Sequence, residues 1–216
     1  MTAKALLLGL LLATAGLQAA AAPPAKQAAF GKEFASRDVR AVADWVVETG
    51  DNSADGKRSL PFAILDKKNA KVFVFQPDGQ LIGAAPALLG LGRGDVALPG
   101  IGARELSAIP PKDRVTQAGR FIADIGVDSH GEDVLWLDYE GGLAMHRVIT
   151  SNPTERRAQR LATPTPLDNR ISWGCINLPV KFYEQVVQPA FTGTKGVVYI
   201  LPETSAPLDY FAAHSG

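Results

Sequence analysis

Short apolar runs closed by turn signals recur from Phe62 to Leu201, and that rhythm confines the chain to a mostly β fold. Phe62-Ala63-Ile64-Leu65-Asp66 and Lys71-Val72-Phe73-Val74-Phe75 read as two strands, with Lys67 to Ala70 as the turn between them. Pro77-Asp78-Gly79 marks the next turn and leads into a strand from Gln80 to about Ala85. Further strands are expected over 120–125, 134–139, 143–149 and 196–201, the last ended by Pro202. Helices are few. Ser36 caps one that runs to about Thr49, with Val39, Val42, Ala43 and Val46 on one face and Gly50 as its stop. Asn152-Pro153-Thr154-Glu155 starts a second, which carries Arg156, Arg157 and Arg160. Pro179 opens a third, with Phe182, Tyr183, Val186 and Val187 on its apolar side. The expected class is a mostly β domain with a few peripheral helices.

The N-terminus reads as an export signal over residues 1–22. Lys4 precedes an apolar run from Ala5 to Leu17, and Ala19 to Ala22 suit a signal peptidase. The run is short for a bilayer span, which needs about 20 residues; an uncleaved N-terminal anchor is the alternative. No cysteine lies there to take a lipid. Residues 23–59 are expected as a mobile linker plus the first helix, 60–203 as the main domain, and 204–216 as a C-terminal tail. Without Lys4, 21 basic residues face 22 acidic ones. That balance gives no basic field for nucleic acid or an anionic membrane. No membrane span is expected after signal cleavage, and the protein is expected to be a monomer outside the cytoplasm.

The one cysteine, Cys175, stands in Ser172-Trp173-Gly174-Cys175-Ile176-Asn177. Exported proteins use cysteines in pairs, so a lone thiol points to chemistry. Cys175 is read as a nucleophile; a buried small hydrophobe is the plain alternative. At its free pKa a thiol is only a few per cent ionised at neutral pH and needs a base. Of the three histidines, His214 is near the C-terminus and His130 lies in a polar loop. His146 sits in the apolar strand Leu143-Ala144-Met145-His146-Arg147-Val148, where it is held rigidly. It is read as the base, with a core histidine as the alternative. The Trp173, Gly174 and Cys175 N–H groups suit an oxyanion hole or a plain tight turn, and sequence leaves both open. Arg170 and the cluster Arg156, Arg157 and Arg160 suit either a carboxylate substrate or, for most of the cluster, a solvated helix face. Asn177 either holds the turn or contacts substrate. One cysteine and one strand histidine do not make a zinc site, and no metal or cofactor is expected. The Gly- and Pro-rich stretch 86–119 is long for a connection and is expected to help build the site.

His146 followed by Ser172-Trp173-Gly174-Cys175-Ile176-Asn177 resembles the signature of the L,D-transpeptidase (YkuD-type) family, in which a strand histidine precedes a Ser-His-Gly-Cys segment. Thr116-Gln117-Ala118-Gly119-Arg120-Phe121 resembles the family's Thr-Pro-x-Gly-x-Phe stretch. The likeness runs from about Phe62 to Pro202. It implies a β-rich sandwich or barrel acting on peptidoglycan stem peptides through an acyl-enzyme, without a cofactor. It implies Cys175 as nucleophile, His146 as general base, the Arg147 carbonyl as the group that orients the imidazole, and the Gly174 and Cys175 N–H groups as oxyanion donors. Ser172, Trp173, Asn177 and Arg170 are implied as substrate contacts. Three positions depart from the pattern. Trp173 stands where the family has a histidine, Arg147 where it has a glycine, and the span from His146 to Cys175 is longer. His146 is then expected to do the proton work alone, with the indole walling a subsite.

The implied activity is a periplasmic transpeptidase that cross-links stem peptides or attaches protein to the wall, with roles in peptidoglycan synthesis and cell shape. An L,D-carboxypeptidase or amidase of the same chemistry is one alternative. A wall-binding module that has lost catalysis is another.

Overall fold

Residues 26–214 are described by the structure, a computed structural model; the export signal expected over 1–22 lies outside them. Among the described residues no helix is long and apolar enough to cross a membrane. The apolar runs seen in the sequence fix the centre of the fold. In β1 (Phe62–Asp66), β2 (Lys71–Phe75) and β10 (Gly196–Ile200) both faces are apolar. Phe62, Ile64, Phe73, Phe75, Val197 and Tyr199 enter one cluster, and Ala63, Leu65, Val72, Val74, Val198 and Ile200 enter another. Strands buried on both faces must lie inside a sheet. They do: β1 pairs antiparallel with β2 and parallel with β10.

The main sheet has eight strands in the order β3-β2-β1-β10-β5-β6-β7-β9. Its other members are β3 (Leu81–Pro86), β5 (Gly119–Val127), β6 (Asp133–Asp138), β7 (Leu143–Arg147) and β9 (Ile176–Leu178). Leu65 and Val74, near one end, share a cluster with Leu135, Met145 and Ile176, near the other. A sheet whose two ends meet one core has to curl around it. The fold is mostly β with helices outside, as the residue pattern predicts. β4 (Leu89–Gly90) and β8 (Arg170–Ser172) form a separate parallel pair beside β9.

The outer face is closed by α1 (Arg37–Thr49) and α5 (Pro207–His214). The Ser36 hydroxyl accepts from the Val39 N–H and Gly50 ends α1 in the left-handed conformation, as their residue types dictate. Val39, Val42 and Val46 of α1 are fully buried, each worth about 1.5 kcal/mol by area removed from water. Trp45 of α1 stacks on Phe211 of α5 at 6.2 Å.

Several expectations are corrected. The segment before α1 is not a loose lead-in over its described part: Ala29 bridges to Gln80, and Phe30 meets the edges of Phe73 and Phe75. The C-terminal segment is not a tail but carries α5, because Phe211 buries against the sheet. Three short strands escaped the sequence reading. β4 falls inside the Gly- and Pro-rich stretch 86–119, β8 leads into the turn before Cys175, and β9 lies between Cys175 and the helix expected from Pro179. That helix is broken in character. It runs as α3 (Val180–Phe182), a π-turn segment Tyr183–Val187, and α4 (Gln188–Phe191). Pro189 has no N–H to give, and the wider turn just before it absorbs the mismatch. The arginine-bearing helix is also split: Pro153–Glu155 is a 3-10 turn, Arg156 turns left-handed, and α2 (Arg157–Ala162) starts afresh.

Candidate active site

Parallel pairing of β7 with β9 brings the two sequence candidates together. His146 lies opposite Asn177, and Met145 opposite Ile176. Cys175 therefore lies opposite Ala144, two residues from His146 and on the same face of the sheet. Met145, Ile176 and Leu178 point into the core, so His146 and Asn177 share the other face. Residues 29 apart in sequence come to adjacent strands.

His146 is fixed from two sides. Its Nδ1 donates to the Arg147 carbonyl at 2.7 Å. Its Nε2 lies 3.3 Å from Asn177 Nδ2. The amide orientation follows from a third group: Arg157 Nη1 donates at 2.6 Å to the other terminal atom of Asn177, which must then be the oxygen. The nitrogen is left for the imidazole. Nε2 is consequently the unprotonated atom of the ring, the one that a general base needs. Burial lowers the His146 pKa below its usual 6.5 and the nearby Arg157 charge adds to this, while the Arg147 carbonyl opposes. The imidazole is neutral at pH 7.

The thiol is half-buried, with Sγ 3.3 Å from the Gly142 carbonyl oxygen. Burial pushes its pKa up; the Ala144 N–H, the Arg157 charge and its own N–H pull the other way without prevailing. The resting pair is thus a neutral thiol and a neutral imidazole, each on a separate partner. Catalytic hydrogen bonds are often unformed before substrate arrives, and here the thiol proton must turn from Gly142 toward His146.

Cys175, Gly174 and Trp173 line a pocket roofed by the Gly- and Pro-rich stretch, including Ile101, Leu106 and Ile109. Arg104 and Asp138 add one cation and one anion to its wall. The Trp173 ring is half-buried, and the Arg114 guanidinium lies 3.4 Å over its centroid. Arg114 is itself tied to the Ile109 carbonyl at 2.9 Å. The indole is therefore a fixed wall of the pocket.

Three candidates are placed otherwise than the sequence suggested. Arg170 does not reach the pocket. It is buried, ion-paired with Glu203, and donates to the Lys67 and Gly92 carbonyls. Its neighbours are Lys67 and Asp95, 2.7 Å apart in a buried charge network. Ser172 is 2% exposed and closes the turn from inside: its hydroxyl donates to the Cys175 carbonyl at 2.6 Å and accepts from the Gly174 N–H at 3.2 Å. That second bond also occupies the Gly174 N–H. The Cys175 N–H has no oxygen acceptor among the described residues and faces its own sulfur. An oxyanion would rely on it rather than on the pair expected from sequence. Asn177 Nδ2 is also 3.4 Å from the Cys175 carbonyl, so this side chain belongs to the turn and the imidazole at once.

Sequence reasoning missed Arg157 and Thr116. Of the three arginines, most of which were expected on a solvated face, Arg157 is the buried one, ion-paired with Glu155. Arg156 is exposed and Arg160 holds the Glu155 and Asp168 carbonyls. Thr116 is fully buried behind the nucleophile turn.

No protein-family model matches the chain, and no curated protein does. Among solved structures it is similar to the L,D-transpeptidase LdtMt1 in complex with imipenem, at 14% identity over 65% of this chain and 58% of that one, with a TM-score of 0.38. It is similar to the catalytic domain of the E. faecium L,D-transpeptidase at 16% identity over 68% and 100%, TM-score 0.39. It is also similar to the helical cell shape determining protein Pgp2 from Campylobacter jejuni at 16% identity over 76% and 55%, TM-score 0.45. The chain spans little more than half the length of the first and third. What the site can do follows from its own geometry.

Proposed function

We propose that the protein is an extracytoplasmic cysteine acyltransferase of L,D-transpeptidase type, acting on peptidoglycan stem peptides. The observation that carries this reading is the pairing of β7 with β9, which seats a pocket-lining thiol two residues along the ladder from, and on the same face as, an imidazole whose Nδ1 is bound to the Arg147 carbonyl. The signature around Cys175 and the apparent signal over 1–22 support the substrate class and the compartment.

The reaction runs in two halves. Donor carbonyl enters the pocket; the Cys175 S–H gives its proton to His146 Nε2 as sulfur bonds to the carbonyl carbon. The oxygen takes the negative charge toward the Cys175 N–H. The tetrahedral centre collapses, the C–N bond to the terminal residue breaks, and the imidazolium returns the proton to the leaving amine. A thioester remains. An acceptor amine then attacks it, His146 takes the amine proton, the C–S bond breaks, and the thiol is restored. Water in place of the amine gives a carboxypeptidase. Because thiol and imidazole both rest neutral, proton transfer accompanies attack rather than preceding it. Arg104 and Asp138 complement a zwitterionic centre, which bears one carboxylate and one amine, as in diaminopimelate.

The test is mass spectrometry of the protein after incubation with imipenem, a strained acyl donor, and separately with tetrapeptide muropeptides plus an acceptor. An adduct on Cys175, with cross-linked product lost in Cys175→Ser, is expected. Folded wild-type protein that forms neither adduct nor product favours the wall-binding module. Free tetrapeptide trimmed without cross-linking favours the hydrolase.

A further inference from the structure

We propose that Thr116 is a positioning residue for the nucleophile turn: its hydroxyl clamps the Gly174–Cys175 peptide so that the Cys175 N–H faces the forming oxyanion. This rests on the acyl-transfer reading above. Thr116 is 0% exposed. Its hydroxyl accepts from the Gly90 N–H at 2.8 Å and donates to the Gly174 carbonyl at 2.7 Å. Peptide bonds in the described chain are trans, so a carbonyl held toward Thr116 sends the N–H of the same peptide the opposite way. Thr116 lies behind the turn; Gly174 and Cys175, with Val115 and Gln117 on either side of Thr116, line the pocket.

A clamp is needed because this peptide follows the residue best able to rotate. Gly174 has φ +139°, a conformation that L side chains rarely adopt. Ser172 holds the N–H on one side of Gly174, and nothing but Thr116 holds its carbonyl among the described residues. Thr116 is itself anchored. Lys67 Nζ donates to its carbonyl at 3.0 Å. Gly90 approaches so closely that a Cβ there would lie 2.1 Å from the Arg114 carbonyl oxygen. The buried Lys67–Asp95 pair thus reaches the nucleophile through one hydroxyl.

Two reactions of Cys175 separate positioning from folding. Acylation by imipenem passes through an oxyanion; alkylation by iodoacetamide displaces iodide from carbon and forms none. Thr116→Val and Thr116→Ala are compared with Thr116→Ser, which keeps the hydroxyl. The Val and Ala variants are expected to acylate ten- to a hundredfold more slowly, below the loss of a whole oxyanion donor, with alkylation within about twofold of wild type. The Ser variant is expected to recover acylation to within about threefold. Acylation unchanged in the Val variant overturns the proposal. Parallel loss of both reactions, or unfolding of the Val and Ala variants beside a sound Ser variant, overturns it in favour of a purely structural tie. Wild-type protein that is alkylated but never acylated speaks against the acyl-transfer reading itself.

Discussion

Removing the imidazole is the most discriminating perturbation, because the structure fixes how the rate should then depend on pH. Burial and Arg157 hold His146 below its ordinary pKa, so in the wild type the base is free from about pH 6.5 upward. Acylation of wild type should rise with pH only in the acid range and be flat through neutrality. In His146→Ala nothing takes the thiol proton, and the rate should follow the thiolate alone. An ordinary thiol of pKa about 8.5 is ~3% ionised at pH 7. Burial raises the Cys175 pKa, so the ionised fraction is smaller still. The variant should therefore be at least about 30-fold slower at pH 7, and up to ~10⁴-fold if the base contributes fully. It should then gain about tenfold per pH unit from pH 7 to above pH 8.5 and approach wild type at the alkaline end. The assay is the second-order rate of imipenem acylation by intact-protein mass spectrometry, with a thermal melt at each pH. A variant whose profile parallels wild type, or whose rate at pH 7 is unchanged, would refute the base assignment.

Gly174→Ala places a Cβ 3.1 Å from the Val115 carbonyl oxygen at φ +139°; a loss of about 1–3 kcal/mol in urea unfolding and a strong loss of acylation are expected. Trp173→His should retain acylation within about threefold, since the ring forms a wall and takes no proton; a loss of order a hundredfold would mean that the indole contacts the reacting substrate. Asp95 is held down to about 2, against a usual carboxylate value near 3.9, by hydrogen bonds from Lys67, Thr204 and Glu203 that outweigh its burial. A lowered carboxylate stabilises the fold above its unfolded pKa, so that contribution should be intact above pH 4 and disappear as pH falls through about 2. Urea midpoints measured from pH 6 to pH 2 should drop in that window, and Asp95→Asn should flatten the drop.

How much of this was legible depends on the range over which each feature is decided. Ser36, Gly50 and the valines of α1 act within a few residues, and so do the apolar β1 and β2 runs. Local rules suffice there. The thiol and the strand histidine were also legible, as residue types whose cost or reactivity demands an explanation. The roles of Arg170 and Ser172 were not. A buried arginine and a surface arginine read alike until Glu203 is brought beside one of them. β4, β8 and β9 are two or three residues long, too short for any period to mark.

The chain alone settled where the longer strands lie, which face of α1 is apolar, and which side chains have chemistry to offer, because those depend on neighbours along the sequence. Folding settled which atoms meet. Parallel pairing of β7 with β9 put Cys175 beside Ala144, and the return of β4 along β8 set Thr116 under Gly174. A hydrogen bond between groups 58 residues apart depends on the register of strands joined by long connections, and register is fixed by the packing of the whole core.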